Sequence, residues 1–113
     1  MPHFIIEYGN ALHSDADRHD AMQIAADCGA TFGFMNPGDI KVRLIPVTDF
    51  LMLDGRKSFV HISVRLLDGR SVTQKKALSD ALCDALDARY SHVESVSVDV
   101  VDMNAATYRK RLA

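Results

Sequence analysis

Two stretches of this chain repeat one order of elements: a strand, a capped helix, a strand. The second stretch is the sharper. Between residues 58 and 67, Val60, Ile62, Val64 and Leu66 alternate with His61, Ser63 and Arg65, the period of a strand with one buried face. Asp68-Gly69-Arg70 turns the chain. Ser71-Val72-Thr73-Gln74 then forms a capping-box pattern, S-x-x-Q, in which each end residue satisfies a free amide of the other. Ala77, Leu78, Ala81, Leu82, Ala85, Leu86 and Tyr90 follow at helical spacing. Val96, Val98 and Val100 define the closing strand.

The first stretch has the same order with weaker signals. Pro2-His3-Phe4-Ile5-Ile6-Glu7-Tyr8 reads as a strand over about residues 2–8. Ser14 is a good N-cap, with Asp15 and Asp17 where carboxylates suit the helix dipole. Ala21, Met22, Ile24, Ala25 and Cys28 give one apolar helical face, stopped at Gly29. Gly33, Pro37 and Gly38 mark residues 30–39 as a loop. From Ile40, Val42 and Leu44 share its side of a strand, against Lys41, Arg43 and Ile45, until Pro46 ends regular pairing.

A strand–helix–strand unit favours parallel pairing with a right-handed crossover. The apolar stretch Val47 to Leu53 runs into Asp54-Gly55, which predicts a hairpin joining the halves antiparallel. The expected fold is therefore α+β, an α/β sandwich: a four-stranded mixed sheet with two helices on one face. It forms one domain, 1–113, with half-units of about 2–53 and 58–103. Residues 104–113 are polar and basic and read as a short helical tail. The other sheet face would carry His3, Ile5, Glu7, Ile45, His61, Ser63 and Arg65. That mixture is too apolar for free solvent and too polar for a monomer core, and it suits the interior of an oligomer.

The bulk numbers narrow the class. At 48% hydrophobic and 25% charged the composition is that of an ordinary soluble globule. A formal net charge of -2 provides no basic field for nucleic acid. No apolar run approaches the roughly 18–20 residues of a membrane span, and the start lacks the pattern of a signal peptide. Cys28 and Cys83 lie far apart without a CxxC motif, as small apolar residues of a reducing cytoplasm. His3, His61 and His92 have no spacing typical of metal ligands.

Chemistry enters at Pro2. Met followed by Pro is normally trimmed, which leaves a secondary amine on a rigid ring. Such an amine with a tuned pKa can carry protons near neutral pH. The bland alternative is that Pro2 only opens a strand, where a missing N–H does no harm.

With Pro2 at the N-terminus, the run Leu67-Asp68-Gly69-Arg70-Ser71-Val72-Thr73-Gln74-Lys75-Lys76 resembles the tautomerase superfamily. The strand and helix around it look like 4-oxalocrotonate tautomerase. The two-unit layout and the opening Met-Pro-His-Phe-Ile-Ile-Glu resemble the 5-carboxymethyl-2-hydroxymuconate isomerase branch. The resemblance implies an isomerase without cofactor or metal, in which Pro2 is the general base and Arg70 binds a carboxylate or the developing enolate. It places Lys41 where an arginine is expected, with Arg43 on the same face. Lysine keeps the charge but loses the bidentate fork. Phe50 and Met52 are candidates for the pocket wall, or simply core.

The implied substrate is a small carboxylate of the 2-hydroxymuconate type from aromatic catabolism. A phenylpyruvate-like enol, hydration of a halogenated acid, or a non-catalytic trimeric assembly are the alternatives. The resemblance also implies a cytoplasmic homotrimer with pockets at subunit boundaries, so that Arg70 and Pro2 could come from different chains. Val60 stands where the second half-unit would carry its proline, so only one half-unit is active. Among the remaining charges, Arg65 is expected to pair with Glu7 between subunits, His61 to be structural, and Lys75-Lys76 and Arg109-Lys110-Arg111 to be solvated. Burial and neighbouring cations would both lower the amine's pKa and free its lone pair.

Overall fold

The computed structural model describes all 113 residues. Strand β1 (His3–Gly9) is followed by helix α1 (Asp15–Ala30), a 3-10 turn (Pro37–Asp39) and strand β2 (Lys41–Pro46). Strand β3 (Phe59–Leu67), helix α2 (Val72–Arg89) and strand β4 (Ser95–Met103) make the second unit. The sheet order is β2-β1-β3-β4. Each unit's strands pair in parallel, β1 with β2 and β3 with β4, and the units meet antiparallel through β1 and β3.

This corrects the hairpin expectation. Asp54-Gly55 does turn the chain, with Gly55 at φ 87°, but β2 and β3 are not neighbours. β1 lies between them, and residues 47–57 cross the sheet end as an irregular connection. The physical reason lies in β1, whose Phe4 and Ile6 are fully buried. A strand this apolar takes the central position, and the less buried β2 takes an edge.

Both helices cover one sheet face. Phe4, Ile6, Val60, Ile62, Val64 and Leu66 pack from the strands against Ala21 and Ala25 of α1 and Leu78, Leu82 and Leu86 of α2. The alternation read from the sequence is thus the boundary of the core. The α2 capping box forms as expected: the Gln74 amide donates to Ser71 Oγ at 3.1 Å, and the Ser71 amide donates to Gln74 Oε1 at 2.9 Å. Tyr90, at the end of α2, donates its hydroxyl to the Asp17 carbonyl at 2.9 Å and ties the two helices together. Cys28 and Cys83 are free thiols on different helices, and burial pushes both thiol pKa values up.

The duplication is visible in the hydrogen bonds, and it moves one assignment. The Lys41 amide, first in β2, donates to the Pro2 carbonyl at 3.0 Å. The Ser95 amide, first in β4, donates to the Ser58 carbonyl at 3.2 Å. Ser58, not Val60, is therefore the counterpart of Pro2. Val60 points into the core.

The tail is not helical. After a turn at 104–107 the chain runs without regular structure to residue 113, and it returns to the beginning of β1. The Tyr108 hydroxyl lies 3.0 Å from His3 Nε2.

Candidate active site

Register decides where the N-terminus lies. His3 is opposite Lys41 on one side and Arg65 on the other, so Pro2 sits beside the last residues of β3. The turn after β3 then brings Arg70 to the same end of the sheet. Gly69 makes this turn at φ 114°, a conformation L side chains rarely adopt. One chain therefore places the N-terminus and Arg70 together, without help from a second subunit.

A cavity of about 450 Å³ opens there. Met1, Asp39, Leu66, Arg70, Tyr108 and Lys110 stand in its wall. Pro2, next to Met1 in the chain, is fully buried and does not itself stand in that wall. The Met1 amine donates to the Asp39 carbonyl at 2.6 Å, and Lys41 Nζ donates to the same carbonyl at 3.2 Å. Asp39 ends the 3-10 turn, whose start is fixed by the Gly38 amide donating to Asn36 Oδ1 at 3.1 Å.

The surroundings favour a free amine. Burial first, then the Lys41 ammonium and the Lys110 ammonium, lower the terminal amine's pKa from 8.0 to about 6, against an opposing pull from Asp39. A cation beside an amine disfavours a second positive charge, and burial disfavours any charge.

Arg70 is held from behind. Its Nη1 donates to the Leu67 carbonyl at 3.1 Å and its Nη2 to the Phe34 carbonyl at 2.7 Å. A guanidinium has five N–H donors, so three remain available to an anion in the cavity.

The other sequence candidates separate. Lys41 is not in the cavity wall, but it reaches the terminal amine's own hydrogen-bond acceptor. Arg43 lies on the open sheet face, where its Nη1 donates to His3 Nδ1 at 3.2 Å. Phe50 is at the opposite end of β1, stacked edge-on against Phe59 at 5.0 Å and over Gly9. Within one chain it does not wall the cavity at Met1 and Arg70, and Met52 lies beside it in a separate cleft. His61 Nδ1 pairs with Ser97 Oγ at 2.6 Å on the open face. Four polar residues missed by sequence reasoning line the cavity: Asn36, Asp39, Tyr108 and Lys110. Only the basic cluster 109–111 hinted at the last of these.

The architecture is the tautomerase fold. A crystal structure of a 5-carboxymethyl-2-hydroxymuconate isomerase from Deinococcus radiodurans R1 superposes with a TM-score of 0.79 at 21% identity, over 97% of this chain and 88% of that one. A 5-carboxymethyl-2-hydroxymuconate delta-isomerase gives 0.78 at 19% identity, over 100% and 89%. The R7 fused 4-OT wild-type asymmetric trimer gives 0.81 at 17% identity, over 96% and 91%. No curated protein matches the sequence.

Within that fold the chain belongs to the 5-carboxymethyl-2-hydroxymuconate isomerase family, whose profile matches residues 2–109. The protein is an isomerase. No helix is long and apolar enough to cross a membrane.

Proposed function

We propose that the mature chain begins at Pro2 and that its secondary amine moves a proton along a conjugated 2-hydroxydienoate. The observation that carries this is the placement of the chain's start: it lies in a cavity with Arg70, and an amine there is depressed by burial and cations. Removal of Met1, which lines that cavity, converts the Pro2 nitrogen from an amide into a terminal amine and vacates the space Met1 fills.

The reaction follows from these groups. The amine takes the proton of the C2 hydroxyl. The oxygen's electron pair forms the C2 carbonyl, and the conjugated double bonds shift by one position. The prolinium then returns the proton to the distal carbon. Negative charge passes through the enolate oxygen during transfer, and the three free N–H groups of Arg70 stabilise that oxygen or the adjacent carboxylate. Lys41 acts through the base, by keeping the amine unprotonated, more than by gripping substrate.

The substrate class is a 2-hydroxymuconate-type di- or tricarboxylate of aromatic catabolism, handled in the cytoplasm. The assembly is a homotrimer joined through the open sheet face. In that assembly Phe50 and Arg43 reach a pocket only as a neighbour's contribution, since neither lines the cavity of its own chain. Replacing Pro2 with alanine leaves a primary amine without the ring. Turnover of a 2-hydroxydienoate, followed by its ultraviolet absorbance, should then fall by orders of magnitude. Near-wild-type turnover would refute the role.

A further inference from the structure

The C-terminal tail has no place in the chemistry so far, yet it forms part of the cavity. Its path is built in. The Asn104 carbonyl accepts from the Thr107 and Tyr108 amides, both at 3.0 Å, and Asn104 Oδ1 accepts from the Ala106 amide at 2.9 Å. This turn sends the chain back across the sheet. Tyr108 is then pinned on β1, with its ring edge-on to the His3 ring at 5.9 Å and its hydroxyl at His3 Nε2.

The tautomer of His3 follows from its other partner. Arg43 can only donate, so Nδ1 accepts, and neutral His3 carries its hydrogen on Nε2 and donates to Tyr108 Oη. Burial first, then Arg43, Lys41, the N-terminus and Arg65, hold His3 below its usual pKa. The pin is therefore in place at neutral pH.

Two residues beyond this pin, Lys110 enters the cavity wall. Its two basic neighbours do not line it. Arg109 is turned back on the tail, with Nη1 donating to the Tyr108 carbonyl at 2.8 Å, and Arg111 is exposed. Lys110 has only a loose partner, with Nζ 3.8 Å from Asp39 Oδ1 and side chains 30% and 41% exposed. An ion pair this open and this long contributes little, so a ligand carboxylate can replace Asp39 at little cost.

We infer that Lys110, delivered by the Tyr108-pinned tail, is the second carboxylate-binding position of the cavity and selects doubly charged conjugated acids over singly charged ones. This rests on the proposed proton-transfer reading and adds the specificity of the same site. Arg70 holds the carboxylate at the reacting end. Lys110 holds the far one, as a point charge that tolerates acids of differing length.

The test compares muconate with sorbate, two conjugated acids of the same chain length that differ by one carboxylate. Binding to the trimmed full-length protein is measured by titration calorimetry. The wild type should bind muconate at least about tenfold more tightly than sorbate, the factor that 1.4 kcal/mol represents. Lys110→Ala should remove most of that preference and leave sorbate unchanged. Lys110→Arg should restore it. Arg109→Ala, which removes a tail charge outside the cavity, should keep it.

Equal wild-type affinities, no measurable muconate binding, an unchanged ratio in Lys110→Ala, or equal losses for both acids would each overturn the inference. A muconate preference dependent on Lys110 in a protein that transfers no proton would instead sink the reaction and keep the binding assignment. Turnover lost in Pro2→Ala without any muconate preference would do the reverse.

Discussion

Arg70→Lys is the most informative single change at the site, because the structure fixes how many hydrogen bonds it removes. The guanidinium uses one N–H on the Leu67 carbonyl and one on the Phe34 carbonyl, which leaves three for substrate. An ammonium has three donors on a single nitrogen. A lysine that satisfied both carbonyls would keep one donor for the anion, and one that turned to the anion would abandon the carbonyls.

In the first case about two substrate-directed bonds are lost while the charge is kept; in the second the two bonds that aim the side chain are lost instead. Hydrogen bonds to charged groups contribute about 1.5–3 kcal/mol each, and 1.36 kcal/mol is tenfold in rate. Loss of even one predicts a fall of roughly 10- to 150-fold in kcat/KM. Initial rates on a 2-hydroxydienoate give kcat/KM, and thermal unfolding separates this loss from misfolding. Arg70→Ala should lose more activity, and about 1–3 kcal/mol of stability as the two carbonyls lose their donor. A fold-intact Arg70→Lys protein within threefold of wild type would show that charge alone suffices and that the fork has no role.

Two further outcomes follow from the geometry. Lys41→Met removes a cation that lowers the terminal amine's pKa, so that pKa should rise; the acid limb of the kcat/KM profile, where the free base appears, should shift to higher pH, and an unmoved limb would remove Lys41 from the account. Gly9→Ala places a Cβ 2.5 Å from ring carbons of both Phe50 and Phe59; it should cost about 1–3 kcal/mol, read by denaturant unfolding, and an unchanged midpoint would show that the rings move aside freely.

Much of the fold was legible because its signals are local. The Val60–Leu66 alternation became the core face of β3, and the Ser71–Gln74 pattern became a formed capping box. Strand order was not legible in the same way. Asp54-Gly55 is a real turn, but a local turn signal cannot report that β1 inserts between β2 and β3; that outcome depends on how Phe4 and Ile6 are buried by distant residues.

The site divides along the same line. Pro2 and Arg70 were visible as a terminus and a turn motif, and antiparallel pairing of β1 with β3 brings them together. Tyr108 was invisible and Lys110 only one member of a basic cluster, since the tail has no periodicity and its contact with His3 spans 105 positions. Phe50 reads as an apolar strand residue, fit for a pocket wall or for core, and nothing in its neighbours in sequence shows which end of β1 it covers.

The central claim is that a proline nitrogen freed by loss of Met1 is the base. The direct measurement is turnover of one 2-hydroxydienoate by two samples verified by intact mass, one beginning at Met1 and one at Pro2. The sample beginning at Pro2 should carry essentially all of the activity, with an acid limb below the ordinary range of a proline amine. Equal activity in the sample that retains Met1, whose Pro2 nitrogen is an amide with no basic lone pair, would contradict the account.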